Sequence, residues 1–269
     1  MKNKISYTNI SIKQVKSSYE VVGSHNGEEY TLFKSNARTV EKVFFEALKN
    51  KINLEGAAIS GAYFRGETFT NLKNIKFINC NFYRCEFHGA NLEGSEFLYS
   101  SIEECKFNGV NLEGSDFLNS SIEECELCGC NLKKVIISKT EICANYFKGN
   151  NFENAVFKGN FSFNTFFKNN YLSTTLSGEY YNNNFFSHED SGHLRSVKFE
   201  EAVFTNNSFK EIEFSGGVAK NSEFTDNKYL DCNFINFKMK DTKDVRNTYD
   251  NCRKENSNIK AENPIEMSM

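Results

Sequence analysis

Every fifth residue from Leu72 to Phe157 is Leu, Ile or Phe, eighteen in succession. Two positions before each, the side chain is compact (Ala, Ser, Thr, Cys or Val) in fifteen of the eighteen, the exceptions being Ile75, Asn145 and Asn150. A helix face recurs about every 3.6 residues and a strand face every 2, so neither element accounts for a period of five. Such a chain must turn a corner every five residues and close a coil after four corners. Residues 91–110 and 111–130 match at 14 of 20 positions, which fixes the coil at twenty residues.

Single columns obey the same spacing. Asn71, Asn91, Asn111, Asn131 and Asn151 fall one coil apart, as do Gly89, Gly109, Gly129 and Gly149. Recurrent glycine at a corner marks a position of positive φ. Recurrent outward asparagine marks a side-chain ladder between coils.

The units NCNFYR, GANLEG, GVNLEG and ENAVFK resemble the pentapeptide-repeat family. The resemblance covers about residues 52–240. It implies an all-β solenoid, a right-handed quadrilateral β-helix in which the centre residue and the compact residue before it fill a narrow core. The motif specifies fold strongly and function weakly. Twenty-seven Phe and no Trp make this core aromatic.

The period is interrupted. Leu54, Ile59, Phe64 and Phe69 share a phase that slips by two residues before Leu72. After Phe157 a phase through Phe161, Phe166, Tyr171, Leu176 and Tyr181 continues it, and a clean phase returns at Leu194, Phe199, Phe204, Phe209 and Phe214. Residues 187–193 read as a loop leaving the solenoid, a place where repeat proteins put specificity. Residues 1–51 read as an N-terminal cap. Within it, 18–33 form a hairpin turning near His25-Asn26-Gly27, and 36–50 an amphipathic helix capped by Ser35 or Asn36. Its face of Val40, Val43, Phe44, Ala47 and Leu48 should cover the first coil. Residues 241–269 are expected to be a C-terminal cap, helical around 241–252, with a frayed polar tail.

The chemistry-bearing residues give little sign of catalysis. Of nine cysteines, Cys80, Cys85, Cys105, Cys125, Cys130 and Cys232 occupy the compact inward slot. Cys125, Cys128 and Cys130 suggest zinc, but two should point inward and one outward, and no second CxxC completes a site. The odd count and the lack of an apolar leader argue against disulfides and fit a reducing compartment, hence a cytoplasmic location. His188, Glu189, Asp190 and His193 could hold a metal or an acid–base pair, or form a solvated loop, the preferred reading. There is no phosphate-binding Gly-rich motif, no HExxH and no nucleophile elbow. Side chains of a solenoid point into a packed core or out to solvent, which makes a reaction pocket hard to build. The expectation is a protein that is no enzyme, with no cofactor and no metal.

Charge is banded. The formal net charge is −3, which excludes a globally basic nucleic-acid binder. From Glu86 to Glu126 there are ten acids and one base. Residues 127–178 carry a net +4, as do the first 52. An outward acidic band of Glu93, Glu96, Glu103, Glu104, Glu113, Asp116, Glu123 and Glu124 is therefore the candidate surface for a basic protein partner. The bland alternative is a duplicated coil tolerating solvated carboxylates.

Some members of the resembled family inhibit or protect type II topoisomerases by imitating duplex DNA, and the band would make such contacts here. The reversal of sign along the rod departs from that pattern, and residues 241–269 lack a strong apolar dimerisation helix. A second reading is a type III secreted effector or scaffold acting on host proteins, exported through the polar segment 1–20. A third is a passive structural rod. Membrane spans and direct nucleic-acid binding are not expected.

Overall fold

The computed structural model describes residues 7–70, 72–187 and 193–259. Past an N-terminal cap the chain winds into a four-sided β-solenoid of about ten turns. Each side is a ladder of short parallel strands. In one coil the first face is Glu96–Leu98, the second Ser101–Glu103 and the third Lys106–Asn108, each pairing with the residues twenty further on. The fourth face begins as single bridges, Asn91 to Asn111 to Asn131 to Asn151 to Asn170. It continues as strands from His193–Arg195 to Arg253–Glu255.

Corners are turned by residues at positive φ. Gly89, Gly109, Gly129 and Gly149 lie between 58° and 64°. The outward asparagines form the expected ladder, Asn111 donating to Asn91 at 3.2 Å and Asn131 to Asn111 at 3.0 Å. Asn71 lies outside the described residues. Inside, phenylalanines stack in columns, with Phe87 and Phe107 4.4 Å apart and nearly parallel. Burying each aromatic side chain contributes roughly 2 kcal/mol before chain entropy is subtracted.

Exceptions to the compact slot form a second, internal ladder. Asn145, Asn164, Asn183, Asn207 and Asn227 are all buried. Each side-chain amide donates to the next asparagine's oxygen and to a carbonyl of a preceding coil, as Asn164 does to Asn183 at 3.0 Å and Ile142 at 2.7 Å. Thus a polar side chain is admitted to the core because all its groups are paired.

The register changes where the period breaks. The first coil is two residues short, Ala58 pairing with Lys76. From Glu141, which pairs with Asn160, the coils have nineteen residues. The next interval is twenty-four, Asn184 pairing with Ser208. The nineteen-residue coils correct the expected phase: Tyr180, not Tyr181, is inward, and Tyr181 is 48% exposed. Of the predicted loop, residues 188–192 lie outside the described residues, and His193 opens a strand.

The cap has three strands, not two: β1 (Thr8–Val15), β2 (Ser18–His25) and β3 (Glu28–Ser35). The hairpin turn at Asn26 and Gly27 is as expected, and β1 also pairs in parallel with the first coil through Ser11 and Ala58. Helix α1 (Val40–Lys49) starts later than predicted. Its N-cap is Thr39, with no side-chain capping bond. Ser35 instead accepts from the Ala37 N–H and donates to Glu46. Val43, Phe44 and Ala47 are buried, and Phe44 meets Phe64 and Phe77 of the first coils, closing the open end of the core.

No helix forms at 241–252. The solenoid continues through Lys243–Val245, Thr248–Asp250 and Arg253–Glu255. In the inward slot Thr242, Asn247 and Cys252 still hydrogen-bond to the coil before. Residues 260–269, predicted as tail, lie outside the described residues.

Candidate functional site: a carboxylate edge

A five-residue step places two outward side chains on each strand and one at each corner. On the second face this puts Glu103 and Glu123 side by side in register. Glu104 and Glu124 follow at the corners, with φ of 50° and 52°. Glu141 continues the other outward column, after Ser101 and Ser121. Among the described residues, Glu103, Glu123, Glu124 and Glu141 have no cation at ion-pair distance. Glu123 accepts from the Ser121 hydroxyl at 2.6 Å. Glu104 differs: Arg84 Nε donates to it at 2.6 Å and Tyr83 at 3.0 Å. The Arg84 guanidinium holds its carboxyl below the usual glutamate range.

The other members of the predicted band are not gathered here. Glu93 and Glu113 lie on the fourth face and Glu96 and Asp116 on the first. Three of these four are neutralised from a neighbouring coil: Glu93 by Lys73 at 3.0 Å, Glu96 by Lys76 at 2.6 Å and Glu113 by Lys134 at 3.1 Å. Counting charge along the chain missed these cations, although the twenty-residue spacing of Lys73 and Glu93 was there to be read. Asp116 is half-buried beside Glu96, and burial first, then the Glu96 charge, raises its pKa.

The second face offers more than charge. Tyr63, Asn81, Tyr83, Ser101 and Glu103 line an open cleft of ≈ 470 Å³. Further along, Phe163 and Tyr181 meet edge-on at 6.0 Å, both exposed.

The inward cysteines are buried free thiols, and Cys128 is half-buried. The Cys105 thiol is pushed up to about 12 by its hydrogen bond to Cys125, and burial pushes Cys130 up to about 11. Neutral thiols make poor metal ligands, and no cluster of three His, Cys, Asp or Glu is disposed to hold an ion among the described residues. His188, Glu189 and Asp190 lie outside them. Among the described residues no helix is long and apolar enough to cross a membrane.

The family model for pentapeptide repeats matches residues 68–97 and 100–133, in eight copies. No curated protein matches the chain. Among solved structures, the pentapeptide repeat protein HetL of the cyanobacterium Nostoc, involved in heterocyst differentiation regulation, aligns at 9% identity. It covers 79% of this chain and 93% of its own, with a TM-score of 0.39. QnrB1, a plasmid-mediated fluoroquinolone resistance protein, aligns at 20% identity over 74% of this chain and 92% of its own, with a TM-score of 0.39. A pentapeptide repeat protein of the Arabidopsis thaliana thylakoid lumen aligns at 21% identity over 38% and 66%, with a TM-score of 0.28.

Proposed function

We propose that this pentapeptide-repeat protein is a non-enzymatic binding rod whose contact surface is the second-face edge of Glu103, Glu104, Glu123, Glu124 and Glu141. The observation that carries the reading is the in-register Glu103 and Glu123, with no cation at ion-pair distance among the described residues. Like charges side by side cost stability, so the pair serves the fold poorly and a basic partner well. With coils rising about 4.8 Å, four carboxylates without an ion pair over three coils give about one charge per 3.6 Å. That is within a factor of about two of duplex DNA, at one per 1.7 Å. The finer reading is therefore imitation of nucleic acid toward a type II topoisomerase.

The test is a supercoiling assay with purified topoisomerase, wild-type protein and the Glu103→Lys, Glu104→Lys, Glu123→Lys, Glu124→Lys variant. Modulation by the wild type and none by the variant is expected. Equal modulation by both, or none by either, refutes the topoisomerase reading. The effector alternative has less support. The segment assigned to export contains β1, which is paired to β2 and to the first coil.

A further inference from the structure

The first and second faces usually meet at a corner residue of positive φ, such as Lys139 at 51° or Glu201 at 52°. In two consecutive coils between these the corner is one residue shorter: Gly159 alone separates Lys158 from Asn160, and Gly178, at φ 92°, alone separates Ser177 from Glu179. The register shifts between Ser138 and Glu141 on entering these coils, and between Leu176 and Gly178 on leaving them.

Glycine makes the shorter corner possible. A Cβ on Gly159 would stand 2.3 Å from the Thr140 carbonyl oxygen, and one on Gly178 2.3 Å from the Gly159 carbonyl oxygen. The same device used twice, nineteen residues apart, leaves a notch of ≈ 560 Å³ in the edge of the rod. Gly159 and Ser177 form its floor, and Lys139, Lys158, Glu200, Glu201 and Lys220 its rim.

At several places opposite charges on adjacent coils close into ion pairs, as Lys73 does with Glu93, Lys133 with Glu153 and Arg246 with Asp226, whereas Glu200 and Lys220, neighbours in register at the notch, do not. Among the described residues, none of the five rim charges has an ion-pair partner. Ser177, not an acid, neighbours Lys158. Lys158 and Glu200 therefore stand two coil rises apart, about 10 Å. A pure anion meets Glu200 and Glu201, and a pure cation meets the lysines. A free amino acid with an uncharged side chain, whose two charges are one carbon apart, cannot span both levels.

We infer that the notch is a binding site for a mixed-charge turn of a partner protein. An acidic side chain seats against Lys139 and Lys158, and a basic one against Glu200 and Glu201. The site does not depend on the carboxylate edge. Its charge pairs gain little individually at a solvated surface, so one turn binds weakly and the notch sets specificity.

The test titrates ¹⁵N-labelled full-length protein with acetyl-Glu-Asn-Gly-Lys-amide, and with the all-acidic and all-basic analogues carrying Glu or Lys at both ends. The amide signals of Gly159, Ser177 and Gly178 are the reporters. The mixed peptide should shift them with a Kd of about 1–10 mM. Both analogues should bind at least about threefold more weakly. Lys139→Glu with Lys158→Glu should invert the preference toward the all-basic peptide, and Glu103→Lys should change nothing. Equal shifts from all three peptides, shifts mapping elsewhere, or no shift up to about 10 mM overturns the assignment.

Discussion

Glu103 stands directly beside Glu123 on neighbouring parallel strands, and Ser121 is the hydrogen-bond donor found at the pair. Two carboxylates on strands about 5 Å apart lie well inside the Debye length of physiological salt, so they repel. Glu123→Gln should raise Tm by about 1–2 °C at low ionic strength, and by less in 1 M salt. Scanning calorimetry at the two salt concentrations checks this. A fall in Tm would mean that the carboxylate serves the fold.

The internal asparagine ladder makes a sharper stability claim. Asn164→Ala strands the Ile142 carbonyl and the Asn145 N–H, which Asn164 now satisfies at 2.7 and 2.9 Å. A loss of about 3 kcal/mol is expected from denaturant unfolding. Asn164→Ser should lose less, because Ser100 and Ser120 make equivalent bonds from the same slot.

Two glycines should respond very differently to substitution. Gly159→Ala places a Cβ against the Thr140 backbone and should cost several kcal/mol, of order 3. Gly109 has φ 63° but open space around it, and many corners carry asparagine. Gly109→Asn should change the unfolding midpoint little, since asparagine tolerates this conformation.

Asp116 gives a pH signature. Its folded pKa is raised, so the native state holds the proton more tightly than the unfolded chain. Stability then falls as pH rises from the ordinary aspartate range through the raised value. Asp116→Asn should stabilise at neutral pH, with the gain shrinking below about pH 4. Urea midpoints at pH 3.5 and pH 7 test the sign. Glu104 should behave inversely: its pKa is depressed, so its contribution is lost as pH falls through the folded value.

The regular core was legible because the inward positions from Ile75 and Phe77 through Ala155 and Phe157 are apolar or compact in every unit but those of Asn145 and Asn150. The phase beyond was not, because Tyr180 and Tyr181 are both aromatic. Only the shortened corner at Gly159, invisible to composition, decides between them. The last coils were hidden by Asp244 and Lys254 in centre positions. The backbone ladder continues through both, and Tyr249 donates to Asp244 at 2.9 Å. β1 was obscured by its polar outward residues. Half of the acidic band dissolved because partners in a solenoid lie one coil away, beyond any local window of charge.

The most direct measurement compares topoisomerase affinity across charge variants of equal size on different faces. One carries lysine at Glu103, Glu104, Glu123 and Glu124. The other carries lysine at Glu86 and Glu126 on the third face and at Glu96 and Asp116 on the first. Calorimetric titration at fixed salt should show at least about a hundredfold loss for the first and less than about threefold for the second. Equal losses would show that net charge alone drives binding and would contradict the assignment of the edge.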